Sequence, residues 1–295
     1  MSSFDTANER VGQIAAHLAK VGPSLKDKVC IVTGANSIRG IGRASVYALA
    51  KRGPKAIFAT DLQDENLKEL ARDIEKQNPG VICIARTVDA ASTAGVTGVI
   101  NEAMEKFGRL DVFFANAGIS TPYARLQDET EASFMKILRV NSLSAFLALK
   151  FAGTAMQETG KGGKEFSGGS IICTASVAGL RSGAPPEYSA SKAAVINLCQ
   201  TSAYQYAGTN VRTNAILPGF TETGMTSPLM DFAKSRGTTH KLGQLNPLKR
   251  YAVPAEVATL VAFLASEEAS YINGQAFAVD GGLSSSLPVI PGRFR

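Results

Sequence analysis

Tyr188 and Lys192 stand four positions apart, and Ser176 lies twelve residues before Tyr188, just after the apolar run 171–173. The alanine-rich stretch that Tyr188 opens reads as helix, and positions i and i+4 share a helix face, so an ammonium is brought beside a phenol. A phenol ionises near pH ~10, too high for a base at neutrality. A neighbouring cation favours the phenolate and lowers that value. A drop of about 3 units corresponds to roughly 4 kcal/mol, a reasonable task for a lysine in a half-dry cleft. The Ser176 hydroxyl is placed to hold a substrate oxygen while Tyr188 gives or takes its proton. A strand-end cap is the plainer reading of that serine. Tyr-x-x-x-Lys alone is common on surface helices. An apolar strand followed by Ser176-Val-Ala-Gly179 at this distance makes it specific.

A second constellation lies nearer the N-terminus. The segment Thr33-Gly34-Ala-Asn36-Ser37-Ile-Arg39-Gly40-Ile41-Gly42 follows an apolar strand and opens a helix. Glycines there let backbone approach a pyrophosphate, and the helix start offers free N–H groups and a positive dipole end. Asp61, followed by Leu62, closes the next strand about 20 residues on, where a carboxylate accepts the ribose hydroxyls of NAD; a helix N-cap is the alternative. Asp89-Ala90 closes the third strand and Asn116-Ala117-Gly118 the fourth. All fall at the carboxyl edge of a sheet, where such folds bind ligands.

The elements that must position these residues alternate along the chain. Strands are expected at 29–33, 56–60, 81–87, 112–115, 170–174, 211–217 and 276–279, with helices at 42–51, 65–77, 95–107, 131–156, 188–206 and 254–266. The strands read as near-continuous apolar runs, as in strands buried on both faces. The expected class is α/β, one Rossmann-type doubly wound parallel sheet of about seven strands with helices on both faces. Residues 26–295 read as a single domain with a substrate flap near 224–250. Residues 1–25 read as a helical extension, with Phe4, Ala7, Val11, Ile14 and Leu18 at helical spacing.

Composition narrows the classes. The 295 residues are 45% hydrophobic and 19% charged, with net charge +6. The basic residues are dispersed and not interleaved with aromatics, so no nucleic-acid partner is expected. No apolar run reaches the ~20 residues that span a bilayer, so no membrane partner is expected. The opening segment is interrupted by Asp5, Glu9 and Arg10 and does not read as a leader, which makes the cytoplasm the expected location. Cys30, Cys83, Cys173 and Cys199 sit in apolar runs without Cys-x-x-Cys spacing, and the two histidines, His17 and His240, are far apart. Free buried thiols and no metal site are expected. His240 reads as a surface residue of the flap.

Taken together, Thr33-Gly34, Asp89, Asn116-Ala-Gly118, Asn141, Ser176, Tyr188-x-x-x-Lys192, Pro218-Gly219-x-x-x-Thr223 and Val279-Asp-Gly-Gly282 resemble the short-chain dehydrogenase/reductase family over roughly residues 25–285. The resemblance implies that Tyr188 is the general acid/base and that Ser176 orients the carbonyl or hydroxyl. Lys192 would hold the nicotinamide ribose and tune Tyr188, and Asn141 would support a proton-relay water. It implies that Thr223 meets the carboxamide and Asp89 the adenine, with Pro218, Gly219 and Thr221 beside the cofactor. Asn141 and Thr223 also read as residues hydrogen-bonding local backbone or capping a helix. The chain departs from the family by placing five residues between Gly34 and Gly40 instead of three. Arg39 sits where relatives read the 2′-phosphate of NADP(H); Asp61 repels that phosphate and favours NAD(H).

The expected activity is NAD(P)-dependent interconversion of a secondary alcohol and a ketone on a medium-sized, largely apolar substrate of secondary-metabolite or polycyclic type. Met225, Leu229, Met230 and Phe232 are candidates to line its pocket. Two alternatives are a 3-oxoacyl-carrier-protein reductase, met by Arg181 or Lys249-Arg250, and a scaffold recruited for non-redox cyclase or binding work. Apolar residues on the helices at 131–156 and 188–206 predict a homodimer or homotetramer.

Overall fold

A computed structural model describes residues 24–121, 125–181 and 183–286. The helical extension expected before residue 24 lies outside the described residues. Seven strands are all parallel: β1 (Val29–Thr33), β2 (Ala56–Asp61), β3 (Ile82–Thr87), β4 (Val112–Ala115), β5 (Gly169–Thr174), β6 (Val211–Pro218) and β7 (Ala276–Val279). Their order in the sheet is β3-β2-β1-β4-β5-β6-β7. The order reverses between β1 and β4, and a crevice opens at such a switch point beyond the strands' carboxyl ends. Every residue of β1, β4 and β6 is buried, the polar Arg212, Thr213 and Asn214 of β6 included, whereas the edge strands β3 and β7 are partly exposed.

Helices cover both faces. Val46 and Leu49 of α1 (Ile41–Ala50), Leu70 and Ile74 of α2 (Leu67–Gln77), and Val257 and Val261 of the last helix pack on one side. Val99 and Ala103 of α3 (Thr93–Phe107), Leu147 and Ala148 of α5 (Ser144–Ala155) and Val195 and Cys199 of α6 (Pro186–Gln205) pack on the other. The flap carries α7 (Ser227–Ser235), and α8 (Pro254–Ala265) leads into β7. All four cysteines are buried free thiols.

The long helix expected at 131–156 is interrupted. It runs as α4 (Glu131–Leu138), a π-helical turn at Arg139–Leu143, then α5. Glu131–Ala155 together is long and apolar enough to cross a bilayer, contrary to the reading that no stretch is. In this fold Ile137, Leu147 and Leu149 are buried within it. Phe134, Met135 and Phe146 stay exposed, while Val195 and Ile196 of α6, expected on the same apolar surface, are in the core.

Candidate active site

Ser176, Tyr188 and Lys192 meet at the carboxyl end of β5. Ser176 caps a short 3-10 turn, its Oγ accepting from the Ala178 N–H at 3.1 Å, so the plain capping reading holds alongside any other role. Pro186 begins α6, and a proline suits a helix start because its missing N–H would be unpaired there anyway. Tyr188 follows at the third helical position. The Lys192 Nζ donates to the Thr174 carbonyl at 2.7 Å and lies 5.7 Å from the centre of the Tyr188 ring.

The electrostatics differ from the expectation of a phenol lowered by its neighbouring ammonium. Burial pushes the Tyr188 phenol up, and a hydrogen bond with Ser176 only partly offsets it. The change falls on Lys192 instead: burial lowers it from 10.5 to about 8. The reason is desolvation, since a cation enclosed without a carboxylate partner gives up its proton more readily. Lys192 is thus poised near neutrality, with two of its three N–H donors left over beyond Thr174 among the described residues.

Asn141 sits on the π-helical turn, a distortion frequent at functional sites. Its Oδ1 accepts from the Ile119 N–H at 2.8 Å; its Nδ2 donates to the Ile119 carbonyl and to Ser191 Oγ, both at 3.0 Å. Asn141 therefore pins the turn that follows Gly118. A Cβ on Gly118 would fall 3.2 Å from Asn141 Oδ1 and 3.3 Å from Lys192 Nζ, so Asn141 and Lys192 converge at this glycine.

Glu187 escaped the sequence reading. An acidic residue in a first helical turn reads as a dipole partner, with no sign of burial. Yet it is fully buried, one helical turn from Ser191 on the same face, and one carboxylate oxygen accepts from the Thr121 hydroxyl. Its other oxygen has no partner among the described residues. Glu187 and Asn141 thus hold the 119–121 turn from two sides.

The glycine loop lies across the switch point. Gly34 has φ +72, and a Cβ on Gly42 would lie 2.2 Å from the Gly34 carbonyl oxygen and 2.7 Å from Asn116 Nδ2, so no side chain fits there. Gly42 was not among the candidate cofactor residues. Asn116 ties three strands: its Nδ2 donates to the carbonyls of Thr33 and Gly34, and its Oδ1 accepts from the Thr174 hydroxyl. The backbone N–H groups of Asn116 and Ala117 both donate to Thr33 Oγ1 at 3.0 Å. Asp61 Oδ2 accepts from the Asn36 N–H at 2.9 Å, leaving the longer Gln63 contact at 3.4 Å on Oδ1. The added loop residues run through a turn closed by the Gly40 N–H and Ser37 carbonyl, which delivers Ile41 to the start of α1. Gly40 caps α1 with no side chain on its N–H groups.

Leu62 is 66% exposed at the mouth. Exposed Asp89 accepts from the Ala91 N–H, with Ala90 between them, and approaches Arg139 at 3.9 Å. On the other bank, a Cβ on Gly219 would strike Asp280 at 2.7 Å, which sets the exit of β6 after Pro218. Thr221 bridges Ala252, and Thr223 shares hydrogen bonds with Thr226 that build the turn before α7, as a capping residue would. Met230 is buried, whereas Met225, Leu229 and Phe232 are about half exposed on the flap. His240 is exposed. A glycine cradle without room for Cβ atoms, an uncapped helix start and a buried ammonium with spare donors together fit a dinucleotide. Among the described residues no cluster of His, Cys, Asp and Glu has the arrangement of a metal site.

Residues 34–284 match the family described as Enoyl-(Acyl carrier protein) reductase. The chain belongs to the short-chain dehydrogenase/reductase family. It is 34% identical over 264 residues to levodione reductase of Leifsonia aquatica, covering 88% of this chain and 95% of that one. The crystal structure of levodione reductase superposes with TM-score 0.81, covering 89% of this chain and all of that one. A 3-oxoacyl-acyl-carrier-protein reductase of Thermotoga maritima is 37% identical over 265 residues, 88% of this chain and 98% of its own. The L-sorbose reductase of Gluconobacter frateurii, solved with NADPH and L-sorbose, has TM-score 0.81 at 28% identity, covering 90% of this chain and all of that one. This short-chain dehydrogenase/reductase is an NAD(P)-dependent oxidoreductase acting between alcohols and ketones.

Proposed function

We propose that the enzyme oxidises a medium-sized, largely apolar secondary alcohol, or reduces the matching ketone, with NAD(H) preferred. The carrying observation is the buried Lys192 ammonium, lowered to about 8 beside Tyr188 and Ser176 at the crevice. The bound dinucleotide supplies or takes the hydride. Ser176 holds the substrate oxygen. The Tyr188 hydroxyl passes its proton to that oxygen in reduction and takes it back in oxidation. Lys192 holds the ribose hydroxyls with its remaining donors, and its charge then favours the phenolate that burial alone opposes. Asn141 keeps the 119–121 turn in place and supports a water on the proton's way out. Gly34, Gly40, Ile41 and Gly42 admit the pyrophosphate; Asn36, Ser37, Asp61, Leu62, Asp89 and Ala90 form the adenosine end; Asn116, Ala117, Gly118, Pro218, Gly219, Thr221 and Thr223 flank the nicotinamide.

NAD is favoured because Asp61 keeps its carboxylate at the ribose and repels a 2′-phosphate. The apolar side chains Met225, Leu229 and Phe232 of the flap at 224–250 support an apolar substrate. Residues 26–295 are taken as one domain. Phe134, Met135 and Phe146, exposed on α4 and α5, support a dimer or tetramer. The carrier-protein reductase is the weaker reading. Arg250 is held by Glu256 at 2.6 Å, and Arg181 donates to the carbonyls of Leu283 and Ser286, so two of the three cations suited to an acidic partner are engaged. The test is a panel of cyclic secondary alcohols with NAD, read by the absorbance of reduced nicotinamide. Turnover confined to 3-oxoacyl thioesters, or no turnover with any alcohol or ketone, would overturn the proposal.

A further inference from the structure

The extra residues between Gly34 and Gly40 carry the glycine loop across to the flap. At its base, Asn36 is fastened to the end of β2: its N–H donates to Asp61, its Nδ2 donates to Glu65 at 2.7 Å, and its Oδ1 accepts from the Asn66 N–H at 2.8 Å. At its tip, Arg39 Nη2 donates to Ser227 Oγ at 3.1 Å, and Nη1 lies 3.8 Å from Glu222 Oε1. Ser227 Oγ in turn donates a hydrogen bond to Asp231 Oδ2 at 3.1 Å. Ser37 presses on the flap as well, since a Cβ on Gly224 would lie 2.8 Å from its Oγ. One short segment therefore forms the adenosine end of the cofactor crevice and also holds the first turn of the flap.

A guanidinium forks equally well onto a carboxylate or a phosphate. The side chains of Arg39 and Glu222 are 50% and 27% exposed, so burial does not lock their pairing and Arg39 can exchange partners. Two residues separate it from Asn36, whose N–H sits on the ribose-facing Asp61, so a released Arg39 is within reach of the 2′ position.

We propose that Glu222 is a cofactor-specificity residue: it holds Arg39 on the flap and away from the ribose 2′ position, so that a 2′-phosphorylated dinucleotide must unlatch the flap to engage Arg39, whereas NAD leaves it latched. This rests on the reading of the crevice as a dinucleotide site. Competition for Arg39 lowers the apparent affinity for NADP by the latched fraction. Linkage is reciprocal, so bound NADP loosens the flap and bound NAD does not.

The experiment measures NAD and NADP dissociation constants calorimetrically on the full chain, for wild type, Glu222→Gln, Arg39→Ala and the double variant. Glu222→Gln should tighten NADP about two- to fivefold and leave NAD unchanged, and that gain should vanish in the Arg39→Ala background. Tryptic cleavage after the exposed Lys234 and Arg236 should run faster in wild type saturated with NADP than with NAD, and equally fast with both in Glu222→Gln. An unchanged NADP-to-NAD ratio in Glu222→Gln, or a gain that persists without Arg39, overturns the latch. Wild-type preference is a separate outcome: NADP bound about tenfold tighter than NAD would overturn the NAD assignment, while the effect of Glu222→Gln would still decide the latch.

Discussion

Buried charge is handled in opposite ways at the two edges of the sheet. At the amino edge, Asp111 receives both Nε and Nη2 of Arg109 at 2.8 Å, the Val29 N–H at 2.9 Å and the Lys28 ammonium at 3.9 Å. Burial by itself would raise the Asp111 carboxyl, but Arg109 and Lys28 hold it below its ordinary value. Nearby, the Lys164 ammonium is bound by the Leu110 and Met156 carbonyls. At the carboxyl edge, Lys192 is as deeply buried but has no carboxylate against it among the described residues, and its ammonium is weakened instead. Paired charge there fastens strand starts; unpaired charge here holds a proton loosely enough to be useful. A buried ion is architecture when its partners are complete and chemistry when one is withheld for a ligand.

The comparison breaks first at Asp111. Asp111→Ala leaves the buried Arg109 guanidinium without its carboxylate, while Lys28 keeps Glu267 at 3.2 Å, and should cost about 3–5 kcal/mol, read from a urea midpoint, with turnover per folded molecule retained. A loss of turnover at full stability would instead place Asp111 in the chemistry. At the other edge the order reverses. Tyr188→Phe should lower kcat at least about 10²-fold while leaving NAD affinity and stability unchanged, because only the proton transfer is removed. Retention of a large share of wild-type turnover would end the assignment of Tyr188 as acid/base.

Lys192→Met sharpens the contrast because its two effects have opposite signs. Turnover should collapse, yet stability at pH 7 should rise by about 1–3 kcal/mol. The folded value of about 8 lies below the ordinary 10.5, so between them the unfolded chain binds the proton more tightly. Lys192 therefore contributes a stability that climbs as pH rises from about 8 to 10.5, so the variant's advantage over wild type should shrink across that range, whatever slope the buried thiols give both proteins. Urea titrations across this range provide the check. The smallest effect is expected at Glu187, a positioning residue. Glu187→Ala should lower kcat/KM for the alcohol about tenfold through kcat, with NAD affinity intact. Glu187→Gln, which still accepts from Thr121, should recover most of it. Equal losses in both variants would argue that the carboxylate charge matters and not its grip on the turn.

Much of this arrangement was legible in the chain. The apolar runs predict the seven strands within a residue or two, because a strand buried on both faces favours apolar residues, with Arg212, Thr213 and Asn214 of β6 admitted only through their bonds to backbone carbonyls. Tyr188 and Lys192 declare themselves by i, i+4 spacing, and the Gly34–Gly42 loop by its place between strand and helix. The edge strands were less apolar in their surroundings than their sequences suggest, and the π-helical turn at Asn141 left no mark in the pattern of a helix that otherwise reads as continuous.

Local sequence determined element type, strand count and the pairing of phenol with ammonium, all of which depend on neighbours within one or two turns. Tertiary structure alone decided which side chains lost their water. Burial turned Glu187 from a helix-start acid into a hidden clamp and moved the pKa change from Tyr188 to Lys192, while the meeting of loop and flap brought Arg39 to Glu222, 183 positions away in the chain. Desolvation and long-range contact are properties of the packed whole, and no window of sequence contains them.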